Sequence, residues 1–281
     1  MTAEFHYRVG WRSHRAHPGH HRSNQIGGGD EFAGHVPLTA YPDPRNIDVH
    51  ATLHDPFGQL MVRVFRQRSS LPVYVLADLS ASMAFGTPAN KLHSVAGFTA
   101  SAAYSAYRTG DPFGFFGFDH AVRWDWHLPL RWYKGIPRDF HRRLATLVPS
   151  GRSADGLSEI APLLGRQRSL VFLVSDFHWS PEDTGSFLDS LIHHDVVPIV
   201  VWRDEEYAGL PAWGWVTLLD PETGDSRRLF MRPGLRQRLE ARFAERRDEL
   251  VRTCQRHGRK PFFLSDPLNT DRLSNYFLAP A

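Results

Sequence analysis

Leu71-Pro72-Val73-Tyr74-Val75-Leu76-Ala77 is a nearly continuous apolar run that stops on a carboxylate, Asp78. A strand wet on one side alternates apolar with polar residues, whereas one that is apolar throughout must be covered on both sides, as inside a parallel sheet. Parallel strands cannot be joined by a tight turn and need a crossover, usually a helix. The chain supplies one next: Lys91 to Arg108 carries Leu92, Val95, Ala96, Phe98, Ala102, Ala103 and Tyr107 at helical spacing, and stops at Gly110-Asp111-Pro112. Its small residues permit close packing on a sheet.

The alternation then repeats. Phe113–Phe118, Val122–Leu128, Leu170–Ser175 and Val196–Trp202 read as strands, and Arg138–Leu147, Gly156–Leu164 and Pro181–His194 as helices. Trp215–Leu219 reads as a last strand, Gly234–Arg252 as a long amphipathic helix, and Pro261–Pro280 as a short closing segment. Strands alternating with helices predict an α/β fold with a doubly wound, mostly parallel sheet. Residues 1–35 are rich in His, Arg and Gly, show no hydrophobic period and contain Gly27-Gly28-Gly29, which predicts an irregular arm. Turn chemistry and one alternating strand, Leu60–Phe65, complete the lead-in. The expected division is an N-terminal extension over residues 1–68 and the α/β domain over 69–281.

With 281 residues, 42% hydrophobic and 22% charged, the chain is long enough for one substantial core. Cys254 is its single cysteine, which excludes an internal disulfide and any Cys-rich metal site and fits a reducing compartment. No stretch approaches the roughly 18 apolar residues of a membrane span, and the N-terminus lacks an apolar leader core, so the expectation is a soluble cytoplasmic protein with no membrane partner. The sequence pI is 9.2, but the base of Arg242–Arg247 alternates with acids at helical spacing, the pattern of a solvated helix face, which disfavours a nucleic-acid partner.

In an open parallel sheet, ligands collect outside the carboxyl ends of the strands. Two such ends are polar. Asp78-Leu79-Ser80-Ala81-Ser82 follows the first buried strand, and Ser175-Asp176 closes the run Leu170–Val174. Asp-x-Ser-x-Ser puts one carboxylate and two hydroxyls on alternate positions of one loop, so three oxygens can converge. A small hard cation such as Mg²⁺ is served by such a set, because it takes few carboxylates and keeps several waters. Asp176 would hold those waters or ligate directly, and Pro149-Ser150-Gly151-Arg152-Ser153-Ala154-Asp155 would supply a third loop. The competing explanation for both strand ends is a helix-capping turn; each loop, however, predicts what the other supplies.

Other clusters favour packing or solvation. His14, His17, His20 and His21 are interrupted by Pro18 and Gly19, so a basic arm outweighs a transition-metal site. Asp119-His120 and Asp125-Trp126-His127 read as parts of an aromatic strand and hairpin, and Arg45 with Asp48 as a structural ion pair in the extension.

Asp78, Ser80 and Ser82, with Asp176, resemble the von Willebrand factor A fold and its metal-ion-dependent adhesion site. That resemblance implies one Mg²⁺, or Mn²⁺ or Ca²⁺, with a Thr loop for which Ser153 and Asp155 are the alternatives here. Gly29-Asp30-Glu31-Phe32, Tyr41-Pro42-Asp43-Pro44-Arg45-Asn46-Ile47-Asp48, Gly58–Phe65 and Leu219-Asp220-Pro221-Glu222-Thr223-Gly224 narrow the likeness to the bacterial von Willebrand A-like family encoded beside MoxR AAA+ ATPases. The Arg that usually precedes Tyr41 is missing, and Val49 stands in place of the usual Trp. Within the family, the length and lack of membrane helices resemble MxaS-type proteins from methanol-oxidation operons.

Two function classes follow. The resemblance implies a non-enzymatic, cation-dependent interaction module, working with a MoxR-type ATPase and a client enzyme such as methanol dehydrogenase in its maturation or metal insertion. The alternative is a metal-dependent hydrolase at the same residues. Against it, the sequence has no phosphate-binding Gly-rich Lys loop, no Gly-x-Ser-x-Gly elbow and no paired Asp nucleophile; Ser82 stands where a second carboxylate would serve phosphoryl transfer.

Overall fold

The computed structural model describes residues 3–12, 18–27, 29–85, 91–149, 151, 153–203, 211, 213–219, 226–264 and 267–279. His14, His17 and Asp220–Gly224, singled out above, lie outside them. The chain divides into two compact units: Arg8–Leu71 with Thr109–Asp111, and Met1–Tyr7 with Pro72–Arg108 and Pro112–Ala281. The break falls just ahead of the first buried strand, three residues beyond the expected boundary, and the start of the chain belongs with the larger unit.

The smaller unit holds β1 (Pro18–Gly27), β2 (Glu31–Pro37), the short helix α1 (Val49–Leu53) and β3 (Met61–Ser69). Its antiparallel sheet has the order β1-β3-β2. The expectation of an irregular N-terminal arm is therefore corrected: residues 18–27 and 31–37 are strands. The reason is chemical. The inward residues of β1 are His21 and Ser23, 7% and 1% exposed, so burial alternates while hydropathy does not. The buried imidazole is satisfied from far away in sequence, its Nε2 lying 2.7 Å from Asp111 Oδ2. Asp111 also accepts the Leu71 N–H at 2.8 Å and the Thr109 hydroxyl at 2.9 Å. Gly29 is there for close approach: a Cβ on it would sit 1.7 Å from the Arg66 carbonyl oxygen. The expected pairing of Arg45 with Asp48 does not form. Arg45 turns to Asp43 at 3.5 Å, while Asp48 caps α1 through the Ala51 N–H and meets His35 at 3.1 Å.

The larger unit is the mixed α/β, doubly wound part. In chain order it contains β4 (Val73–Asp78), α2 (Lys91–Arg108), β5 (Phe113–Phe118), β6 (Val122–Arg131), α3 (Arg138–Ala145), α4 (Gly156–Ile160), β7 (Leu170–Ser175), α5 (Pro181–Ser190), β8 (Asp195–Val200), β9 (Gly214–Leu219), β10 (Ser226–Met231), α6 (Pro233–Arg256), β11 (Phe262–Phe263) and α7 (Thr270–Leu278). The main sheet runs β11-β8-β7-β4-β5-β6, parallel except for the last pair. Every residue of β4, β5 and β7 is buried.

Alternate side chains of these strands feed two helical layers. Tyr74 and Leu76 of β4 join Leu157 of α4, Leu188 of α5 and Leu250 of α6 in one core. Facing the other way, Phe172 of β7 meets Phe98 of α2 edge-on at 5.3 Å and Phe5 at 5.9 Å. Each such apolar side chain contributes roughly 1.5–3 kcal/mol, and the double covering explains why hydropathy along β4 does not alternate.

Two elements depart from expectation. β9 is not the last strand of the main sheet; it pairs with β10 in a separate hairpin. Trp215 on β9 is 74% exposed, and β9 is paired along its whole length by β10. Its place at the sheet edge is taken by β11, from the segment read as a closing tail, through Phe262 beside Ile199. No helix among the described residues is long and apolar enough to cross a membrane.

The chain passes from β4 to β5 on one side and returns to β7 on the other side of β4. That reversal makes the carboxyl ends of β4 and β7 the switch point of the sheet, the place where ligands collect in open α/β sheets.

Candidate cation site

Asp78 ends β4, and Asp176 follows β7 directly, so the pairing of these two strands sets the carboxylates side by side. Both are fully buried, and Ser80 and Ser82 are 1% and 5% exposed. Asp78 accepts the Ser80 N–H at 2.9 Å through Oδ1 and the Ser175 hydroxyl at 2.7 Å through Oδ2. Ser80 Oγ and Ser82 Oγ stand 3.2 Å apart, so the alternate spacing in the sequence does bring the two hydroxyls together. Ser175 in turn accepts the Phe177 N–H at 2.9 Å. Phe177 has φ of 50°, a left-handed conformation rare for a bulky residue, and its burial in the core holds that turn in place.

Asp176 has its own partners. Lys91 Nζ, the first residue of α2, donates to Asp176 Oδ2 at 2.7 Å, with both side chains at 0% exposure. His178 Nδ1 lies 3.2 Å from the same oxygen, and Trp202 Nε1 donates to the Asp176 carbonyl at 2.7 Å. Burial alone would raise the Asp176 carboxyl, but His178 and the Lys91 ammonium outweigh it and hold the group well below the usual carboxylate range. Asp78 goes the opposite way. Burial, then the negative charge of Asp176, push it up to about 7 against the hydrogen bonds from Ser175 and Ser80.

The third loop meets the site through its backbone. Ser80 and Gly151 form a parallel bridge, and the Ala81 N–H donates to the Gly151 carbonyl at 2.7 Å. Gly151 has no room for a side chain, since a Cβ would lie 2.3 Å from Cβ of Asp119. Ser153 and Asp155 bond to each other at 2.8 Å. Among the described residues neither forms a hydrogen bond with Asp78, Ser80, Ser82 or Asp176. Asp119, at the end of β5, is 1% exposed and held by Arg123 at 2.8 Å, while Trp126 packs on Phe140 at 5.5 Å.

Sequence reasoning missed Lys91, the Ser175 bond to Asp78, and His178. A signal for the first was present. The positive end of a helix dipole disfavours a cation in the first turn, so a Lys opening an otherwise small and apolar helix is an anomaly that a buried carboxylate resolves.

The donors at these strand ends are all oxygens. Among the described residues no group of three or more His, Cys, Asp or Glu is placed to hold a metal. Two carboxylates, one already neutralised by an ammonium, plus two hydroxyls fit a hard cation that keeps part of its water. Burial raises the Asp78 carboxyl, and a cation placed beside it would favour the charged form.

Fold and site together define a doubly wound α/β protein with buried carboxylates at the switch point of its sheet. More specifically, the chain belongs to the family described as protein of unknown function DUF58, which residues 43–249 match. It is 35% identical over 100 residues to an uncharacterized protein in the moxR 3' region of Paracoccus denitrificans, covering 35% of this chain and 93% of that protein. Among solved structures it is similar to the conserved hypothetical protein BatB of Bacteroides thetaiotaomicron, at 14% identity, covering 73% of this chain and 96% of that one, with a TM-score of 0.42. An aerotolerance-related membrane protein of Bacteroides fragilis gives 12% identity, 74% and 97% coverage and a TM-score of 0.42.

Proposed function

We propose that the larger unit is a von Willebrand factor A-like interaction module whose Asp78, Ser80, Ser82 and Asp176 hold one Mg²⁺, or Mn²⁺ or Ca²⁺. The observation that carries this reading is the placement of two fully buried carboxylates at the ends of paired parallel strands, with two hydroxyls 3.2 Å apart on the adjoining loop. A bound cation supplies an open coordination position for a carboxylate of another protein. The chain's own residues do the rest. Ser175 and the Ser80 N–H orient Asp78; Lys91 limits the negative charge of the set by holding Asp176. Ser153 and Asp155 remain the alternative contributors from the third loop.

The partner in this reading is a MoxR-type AAA+ ATPase, supported by the relative whose name places it in the moxR 3' region. The pair acts on a client, such as methanol dehydrogenase in the MxaS-type version of the reading, by maturing it or inserting its metal. In this reading the role is non-enzymatic: the Ser175 hydroxyl, Lys91 and His178 are engaged in holding the two carboxylates.

The test is the affinity of the purified chain for the MoxR-type ATPase encoded in the same genome, with Mg²⁺ and after its removal, for the wild type and for Asp78→Ala with its fold checked by circular dichroism. Binding that needs both Mg²⁺ and Asp78 supports the module. Cation-independent binding that Asp78→Ala leaves intact refutes it, and phosphatase turnover lost in Asp78→Ala would favour a hydrolase.

A further inference from the structure

The loop that follows β7 also faces α5 and α6. There it forms, with α6, a cavity of about 170 Å³. From the loop come His178 and Trp179; from α6 come Arg246, Glu249, Leu250 and Thr253. The four α6 residues are spaced i, i+3, i+4 and i+7, so one stripe of the helix makes the wall. His178 is common to both places, since its Nδ1 lies 3.2 Å from Asp176 Oδ2.

Three features say what the cavity takes. Its volume is below the roughly 300–1,000 Å³ of sites that enclose a whole cofactor or drug-sized ligand, and suits one side chain. Its basic group is Arg246, whose guanidinium makes one long bond of 3.4 Å to the Trp179 carbonyl and has further donors in its planar fork to offer. Thr253 is 4% exposed, and its hydroxyl has no hydrogen-bond partner among the described residues. Buried hydroxyls are ordinarily paired, and an oxygen brought in by a ligand would pair this one. Trp179 and Leu250 offer apolar surface to a short aliphatic stem. Glu249 is exposed at the rim, and no ion pair joins it to Arg246 among the described residues.

We propose that this cavity seats an acidic side chain of the partner protein, a second carboxylate beside the one bound through the cation. Arg246 and Thr253 meet its oxygens, and Trp179 and Leu250 cover its methylenes. The proposal rests on the reading above only for the identity of the protein that carries the side chain; the cavity's preference for a carboxylate stands by itself. The partner therefore presents two acidic residues, one to each place.

Two measurements test it. In cation-free buffer, N-acetyl-L-glutamate is titrated into the protein while the Trp179 indole signal, identified with Trp179→Phe, is followed by NMR. Saturable millimolar binding is expected, weakened at least about tenfold by Arg246→Gln and a few-fold by Thr253→Val. Glu249→Gln should tighten it, because a like charge is removed, and N-acetyl-L-glutamine, which keeps the α-carboxylate but has an uncharged side chain, should bind more weakly. No binding of the acid, equal binding of acid and amide, or indifference to Arg246→Gln overturns the cavity's assignment.

The second measurement is affinity for the MoxR-type ATPase in Mg²⁺. Arg246→Gln should weaken it about tenfold while its Mg²⁺ dependence persists, and Glu249→Gln should not weaken it. Loss on Asp78→Ala with no change on Arg246→Gln overturns the second contact but spares the cation reading. Weakening by Arg246→Gln without any Mg²⁺ dependence supports the cavity and sinks the cation reading. Absence of any binding by the wild type overturns this partner.

Discussion

Lys91→Met isolates the electrostatic logic of the site. The substitution keeps a long unbranched stem and removes the ammonium 2.7 Å from Asp176 Oδ2, with both groups fully buried. Breaking a buried ion pair by deleting one partner destabilises by about 3–5 kcal/mol, because the remaining charge is left without compensation. His178 Nδ1, 3.2 Å from the same oxygen, offsets part of that, so the lower figure, about 3 kcal/mol, is expected. For a domain of this size each kcal/mol moves Tm by roughly 2–4 °C, giving a drop of about 6–12 °C in cation-free buffer. The variant also presents two carboxylates with no ammonium fixed on Asp176. Mg²⁺ should bind it at least about tenfold more tightly, a gain of about 1.4 kcal/mol, and should recover part of the lost Tm by mass action. The assay is differential scanning calorimetry over a Mg²⁺ series, with isothermal titration for affinity. An equal Tm loss with and without Mg²⁺, or Mg²⁺ binding no tighter than in the wild type, would refute the view of Lys91 as a tethered counter-ion in a cation site.

Asp78 makes cation binding depend on pH: with its carboxyl pushed up to about 7, Mg²⁺ affinity should fall about tenfold per unit below that value and level off above it, with proton release seen by calorimetry in two buffers. In the cation-free protein the same raised group acts on stability with the opposite sense. The folded state holds this proton more tightly than the unfolded one, so the Asp78 contribution falls as pH rises from about 4 to about 7, which urea melts across that range should detect. The Cys254 thiol is fully buried and pushed up to about 12 by burial, so a disulfide reagent at pH 8 should leave it unreacted until denaturant is added. Gly151→Ala should destabilise by about 1–3 kcal/mol through overpacking on Asp119, and Ser80 would lose its alignment with the third loop; a urea midpoint equal to wild type would contradict that crowding.

Much of this was legible because the signals are local. The apolar runs of β4 and β7 read as strands covered on both faces, and the carboxylates that follow them as groups at the carboxyl end of a parallel sheet. Other parts were hidden because the partner is distant in sequence. His21 reads as part of a basic arm until Asp111 is beside it, ninety residues away, and Lys91 reads as a helix residue until Asp176 meets it across eighty-five. β11 is only two residues long and carries little pattern; its pairing with β8 is decided by which edge of the main sheet is open.

By itself, then, the sequence determined the α/β alternation and the positions of Asp78, Ser80, Ser82 and Asp176, since hydropathy period and turn chemistry act over a few residues. The tertiary structure decided how those groups are charged. Whether a buried carboxylate is held low, as in Asp176, or raised, as in Asp78, depends on burial and on an ammonium delivered by another element. Both are set by how strands and helices pack in space, and no local pattern encodes them.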